Sequence, residues 1–273
     1  MQKRMVYLVS DRTGITAETL GHSLLSQFSS ISFQFHTLSF IDTLEKSEEI
    51  ISLLNKISQE QEYKPIVIAT MVNTEVRNKL KQADCFFIDV YETFLGSLEK
   101  ELNTPSEKIM GQAHGILDTK EYNDRIEAVN FALAFDDGSK SEHYEQADII
   151  LVGVSRSGKT PTCLYLALQY GIRAANYPFT PDDLDTVTLP KPIKHFKSKL
   201  IGLTIQPERL HQLREARKPN SNYAKLQQCQ KEIKTLETIY QTLHIPFLNS
   251  TSLSIEELSS KIMMLSGIHR KNW

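Results

Sequence analysis

Residues 147–170 read ADIILVGVSRSGKTPTCLYLALQY, and this stretch decides the fold. Ala147–Val154 is an apolar run of strand length, and Pro161–Tyr170 carries the spacing of a helix. Between them lies Gly153-Val154-Ser155-Arg156-Ser157-Gly158-Lys159-Thr160, which matches Gly-x4-Gly-Lys-[Ser/Thr] at every fixed position. Strand, glycine loop and helix in that order predict a phosphate-binding loop, or P-loop. The two glycines permit a backbone that turns successive N–H groups inward, and the helix N-terminus adds partial positive charge. Lys159 is then the group that reaches the terminal phosphates, and the Thr160 hydroxyl the ligand for Mg²⁺. Pro161 suits a first helical turn, where its missing N–H costs little. Arg156, inside the loop, could grip a phosphate oxygen or simply face solvent.

Working outward, both flanks repeat the alternation. Toward the N-terminus, strands are expected at Met5–Ser10, Ser32–Phe40, Pro65–Met71 and Cys85–Val90. Helices are expected at Thr16–Phe28, Leu44–Ile57, after an Asn73 or Thr74 cap, and at Phe94–Leu102. Toward the C-terminus, strands are expected at Gly171–Asn176, Lys199–Thr204 and Ile245–Asn249, and helices at Pro207–Arg217, Ala224–Leu243 and Ser254–Leu265. Ser254 and Glu257 form a capping-box pattern. The class is therefore α/β, with an N-terminal βαβ parallel-sheet half at 1–103 and a C-terminal P-loop kinase-like half at 147–273. Residues 104–146 read as a connector holding one helix near Tyr122–Phe135, stopped by Asp136-Asp137-Gly138. No internal repeat is visible in the letters.

The chain has 273 residues with 31 Lys+Arg against 33 Asp+Glu, a formal charge of −2, which argues against wholesale nucleic-acid binding. Its longest apolar runs, near Ile66–Val72 and Ile149–Val154, are too short to span a bilayer. The opening MQKRMVYLVSD has no secretory apolar region, so a cytoplasmic protein is expected. Cys85, Cys163 and Cys229 are odd in number and widely spaced, which disfavours a disulfide framework. One stretch departs from neutrality: Lys191–Lys234 has eleven Lys/Arg and three acids, a net of +8.

A P-loop needs an acid near the metal or the attacking hydroxyl. The candidates are Asp136 and Asp137, and Asp182, Asp183 and Asp185, all of which also suit turns or helix N-termini. His114, four residues before Asp118, could form a general-base pair with it, or be structural. Arg209, Arg214 and Arg217 could cover a transferred phosphoryl group, by analogy with small P-loop kinases, or lie on a solvated helix face. Ser10–Thr16, at the carboxyl end of a strand, could be a second anion nest, a recognition loop, or an ordinary turn with Thr16 as helix cap. Catalytic roles are therefore expected of Lys159, Asp137 and His114, nucleotide contacts of Gly153 to Thr160, and a metal contact of Thr160.

Four blocks, YLVSDRTGITAETLGHSLLSQF, YNDRIEAVNFALAFDDG, LVGVSRSGKTPTCLYLALQYGIRAANYPF and LIGLTIQPERLHQLREAR with IPFLNSTSLSIEEL, together resemble the bacterial pyruvate, phosphate dikinase and phosphoenolpyruvate synthase regulatory protein family. The loop and its ANYPF run look most like the phosphoenolpyruvate synthase branch. The resemblance implies a bifunctional enzyme. One activity is an ADP-dependent kinase acting on a threonine of the target. The other is a phosphate-dependent phosphorylase that removes that phosphate as pyrophosphate. It implies phosphoenolpyruvate synthase, or pyruvate, phosphate dikinase, as protein substrate and inorganic phosphate as co-substrate, and it leaves a homodimer open. The family's nucleotide loop falls on Gly153 to Thr160, its Asp-Asp-Gly block on Asp136 to Gly138, and its histidine block on His114. Residue spacing alone leads only to a P-loop phosphotransferase. A nucleotide-gated binding protein and a small-metabolite kinase are the alternatives.

Overall fold

A computed structural model describes residues 3–107, 109, 119–138 and 141–268. His114 and Asp118 lie outside the described residues. The chain divides into two compact units, Met1–Gly115 and Ile116–Trp273.

The first unit runs β1 (Lys3–Ser10), α1 (Ile15–Leu25), β2 (Ser32–Leu38), α2 (Leu44–Glu60), β3 (Ile66–Thr70), α3 (Thr74–Leu80), β4 (Phe86–Asp89) and α4 (Val90–Leu102). Its four strands form a parallel sheet in the order β2-β1-β3-β4. Alternation along β1 serves both faces: Tyr7 and Val9 join one apolar cluster with Leu54 and Val76, while Val6 and Leu8 join the other with Ala17 and Val90. Asn73 caps α3, its Oδ1 accepting from the N–H groups of Glu75 and Val76. Helix α1 opens on Gly14, at φ 85°, rather than on Thr16, and has no side-chain cap.

The second unit runs α5 (Thr119–Ala134), β5 (Ile149–Val154), α6 (Lys159–Tyr170), β6 (Ala174–Phe179), β7 (Leu200–Thr204), α7 (Pro207–Arg217), α8 (Leu226–Thr242), β8 (Phe247–Asn249) and α9 (Ile255–Ser266). Its sheet is also parallel, in the order β6-β5-β7-β8. All six residues of β5 are buried. Ile150, Val152 and Val154 face Cys229, Ile233, Leu236 and Tyr240 of α8, while Ile149 and Leu151 face Cys163 and Leu166 of α6 and Ile262 of α9. Helix α5, inside the stretch read as a connector, places Ala128 and Ala132 in the cluster with α6 and Phe131 in the one with α8. The strand expected at Gly171–Asn176 begins three residues later, because Gly171 closes α6 in the left-handed conformation, and it runs through Pro178. Proline is tolerated there because β6 is an edge strand. The capping box at Ser254 and Glu257 is formed.

In each unit the first strand of the sheet lies between the second and the third. The two helices that follow these first strands open alike. Arg12-Thr13-Gly14-Ile15-Thr16 and Arg156-Ser157-Gly158-Lys159-Thr160 both put glycine at the N-cap, at φ 85° and 91°. The repeat hidden in the letters is thus a repeat of strand order and of one turn, with Ile15 where the second unit has Lys159. Among the described residues, no helix is long and apolar enough to cross a membrane.

Candidate active site

Strand β5 ends where its neighbours β6 and β7 depart on opposite sides, the position at which open parallel sheets form a crevice. The chain turns there: Ser157 N–H donates to the Val154 carbonyl at 3.3 Å, and Arg156 and Gly158 take φ of 76° and 91°. Arg156 is exposed and carries the strain of a left-handed non-glycine residue. Gly153 is needed for close approach, since a Cβ there would stand 2.6 Å from the Leu203 carbonyl oxygen and 2.8 Å from Ser157 Oγ. Gly153→Ala is therefore expected to destabilise the protein by about 1–3 kcal/mol, read as a lower urea midpoint at unchanged m-value.

Lys159 is the first residue of α6 and is only 4% exposed. Its Nζ donates to the Val154 carbonyl at 2.9 Å. Burial pulls the ammonium down from 10.5 to about 8, against the opposing pull of the Asp137 and Asp136 charges. The N-cap, Gly158, offers no side chain to the Lys159 and Thr160 amides; Pro161 has no N–H, and Thr162 N–H donates to the Gly158 carbonyl at 3.2 Å. Ser157 Oγ is buried and has no hydrogen-bond partner among the described residues.

Beside the lysine, Thr160 Oγ1 donates to Asp136 Oδ1 at 2.8 Å. Asn176 of β6 donates from Nδ2 to the same carboxylate oxygen and to Thr160 Oγ1, the latter at 3.0 Å, and its Oδ1 is buried with no partner among the described residues. Asp136 reaches this place because the end of α5 is tied to the edge strand. Asn176 N–H donates to the Phe135 carbonyl at 3.1 Å, and Tyr144 OH donates to the Asn176 carbonyl at 3.1 Å. Asp137, one residue on, has φ 51°, is exposed and accepts no hydrogen bond among the described residues. Of the two acids, Asp136 is occupied with Thr160, while Asp137 accepts no bond among the described residues and its charge acts on Lys159.

The other candidates sort clearly. Asp183 closes its own turn, accepting from Thr180 N and Oγ1 at 2.9 and 2.8 Å, and from Tyr177 OH at 3.2 Å. Asp182 and Asp185 are exposed. Arg209 and Arg217 are exposed on α7, while Arg214 is 1% exposed and committed to Glu232 at 2.7 Å, so the three do not act as one set. In the first unit, Asp11 is buried and accepts from the N–H groups of Val72 and Asn73 at 2.7 and 3.0 Å. The Ser10–Thr16 turn lines a cavity of about 260 Å³ together with Thr70, Arg77 and Tyr91. Among the described residues, no group of three or more His, Cys, Asp or Glu could hold a metal ion.

Sequence reasoning missed Asn176 and Glu232 as participants. The signal was there in both: a carboxamide within a strand buried on both faces, and a carboxylate on the apolar stripe of α8 between Cys229 and Leu236.

Residues 6–263 match the family model described as kinase/pyrophosphorylase. A protein of Marinobacter nauticus is 50% identical over 98% of this chain and 99% of its own length. Relatives from Legionella pneumophila and Pseudomonas aeruginosa are each 49% identical over 98% of this chain, covering 99% and 98% of their own lengths. All three are named as candidate phosphoenolpyruvate synthase regulatory proteins. With a full-length match of this kind laid over the loop, its lysine and its paired acids, the chain belongs to the kinase/pyrophosphorylase family.

Proposed function

We propose that this protein is a bifunctional regulator of phosphoenolpyruvate synthase: an ADP-dependent serine/threonine protein kinase and a phosphate-dependent, pyrophosphate-forming phosphorylase. A cytoplasmic setting goes with that reading, and pyruvate, phosphate dikinase is the alternative target. The observation that carries the phosphotransfer part is Lys159, a buried cation whose one acceptor among the described residues is a backbone carbonyl, placed at a helix N-terminus with no side-chain cap. Such a cation calls for an anion. The target comes from the relatives' names, and ADP from the family resemblance of the sequence.

In this reading, Gly153 to Thr160 hold the donor's phosphates through backbone amides and Lys159. Thr160 and Asp136 would hold Mg²⁺. Their hydroxyl and carboxylate are the hard oxygen donors that ion prefers, and the few protein ligands suit an ion that keeps waters and phosphate oxygens. The ion would supply charge neutralisation between phosphates. Asp137 takes the proton from the target threonine hydroxyl as its oxygen bonds to the donor's terminal phosphorus and the bond to the departing AMP breaks. In the reverse activity, hydrogen phosphate bonds through its oxygen to the phosphothreonine phosphorus, the threonine oxygen leaves, and Asp137 passes to that oxygen the proton released by the hydrogen phosphate, so that threonine and pyrophosphate result.

The test is a labelled-donor assay. With [β-³²P]ADP, label should pass to phosphoenolpyruvate synthase, and added phosphate should release it as pyrophosphate. Label passing to small metabolites, or to nothing while ADP still binds, would overturn the assignment.

The lysine also sets a pH signature. Near pH 8 about half of Lys159 is unprotonated in the free protein, and a bound polyphosphate restores the charge. ADP binding at pH 8 is therefore expected to take up about half a proton. Calorimetry in buffers of different ionisation enthalpy reads this uptake, and Lys159→Met should abolish it. The unfolded chain keeps that proton up to 10.5, so Lys159 opposes folding fully below pH 8 and progressively less between 8 and 10.5.

A further inference from the structure

The glycine loop is held from behind by groups that lie far away in sequence. Ser155 is its third residue. Ser155 Oγ accepts from Tyr223 OH at 2.9 Å, and the Ser155 carbonyl accepts from Arg214 Nη2 at 3.4 Å. Arg214 stands on the last turn of α7, and Tyr223 in the 3-10 turn Asn222–Ala224 that leads into α8. The same guanidinium donates from Nη1 to the Tyr223 carbonyl at 3.0 Å and lies 4.2 Å from the centroid of the Tyr223 ring. Its charge is matched by Glu232 of α8, which in turn accepts from Gln228 Nε2 at 2.9 Å. One buried cation thus joins α7, the turn, α8 and the loop.

Stability does not explain this arrangement. A buried ion pair gains little over a well-packed apolar set, because desolvation offsets the attraction. An apolar set could hold α7 on α8, but it could not hold a carbonyl and a hydroxyl. A loop whose amides converge on an anion turns carbonyls and side chains outward, and those groups need donors of their own. The neighbouring carbonyls are served in the same way, Val154 by Lys159 Nζ at 2.9 Å and Ser157 by Ser250 Oγ at 2.9 Å.

We propose that Tyr223 and Arg214, with Glu232 as counter-ion, are positioning residues for nucleotide binding, fixing Ser155 so that the loop is preorganised for phosphate. This rests on the reading of Gly153 to Thr160 as the phosphate site. Both residues act through Ser155.

The test is a double-mutant cycle read by ADP calorimetry in the presence of Mg²⁺, with thermal midpoints measured alongside. Tyr223→Phe removes one hydroxyl and keeps the ring beneath Arg214, and Ser155→Ala removes the partner of that hydroxyl. Each is expected to weaken ADP binding about tenfold. The double variant should be no weaker than either single one, and all three midpoints should stay within about 3 °C of the parent. Arg214→Lys keeps the charge against Glu232 but not the fork, and is expected to lose affinity likewise. Parental affinity in Tyr223→Phe, or additive losses in the double variant, would overturn the proposal while Lys159→Met still loses binding, which leaves the loop assignment standing. A parent that binds no ADP, or a Lys159→Met variant that binds it as the parent does, would overturn the loop assignment and this proposal with it.

Discussion

Under the proposed function, Lys159→Ala is expected to lower phosphoryl transfer to the protein substrate by about three orders of magnitude and to leave the fold intact. The magnitude is that of removing one preorganised charge-stabilising donor from a water-excluded site. Stability is expected to be spared because, among the described residues, Lys159 has no carboxylate at bonding distance and its Nζ bonds only the Val154 carbonyl, and burial already disfavours its charge. Lys159→Met, which fills the same space, should keep or raise the thermal midpoint. Both directions should fall together if one loop serves ADP and inorganic phosphate, and ADP should then compete with phosphate in the phosphorylase. A variant without kinase activity but with normal phosphorylase activity would require a second anion site. The turn Arg12–Thr16, which opens α1 as the loop opens α6, is the first place to look.

Asp137→Asn is expected to lower kcat by about 10²–10⁴, the usual worth of a positioned proton acceptor, with ADP affinity kept within about threefold. The split distinguishes it from Asp136. Asp136 is bonded to Thr160 and Asn176, so Asp136→Asn should weaken Mg²⁺-dependent nucleotide binding as well as turnover. Single-turnover rates with labelled ADP and direct binding measurements check both. An undiminished rate in Asp137→Asn would take the proton from Asp137 and leave His114 as the next candidate.

How far the letters went depends on the range of the interaction. β5 and the Val6–Val9 part of β1 were legible because strands buried on both faces read as continuous apolar runs, and the loop was legible because its residues are contiguous. Cap geometry was less so. Thr16 has the right side chain for a cap, yet Gly14 takes the position, because a strand-to-helix turn with positive φ favours the residue without a Cβ. The pairing of Thr160 with Asp136 spans 24 residues and depends on the Asn176 N–H reaching the Phe135 carbonyl, which no local pattern records. Arg214 was misgrouped for the same reason. It shares a helix and a charge with Arg209 and Arg217, and only the burial of its side chain against Glu232 separates it from them.

The strand orders also bear on how copies of this chain could adhere. An edge strand is a template of unpaired amides for another chain, and three of the four edges here are poor ones. Strand β8 has three residues and β4 has four, and Pro178 removes a donor from β6. Strand β2 is different: seven residues, Ser32–Leu38, aromatic at Phe33 and Phe35, with neither a proline nor a lysine among them. Among the described residues β2 is therefore the longest edge strand without such a guard, and Gln34→Lys is the change that would supply one.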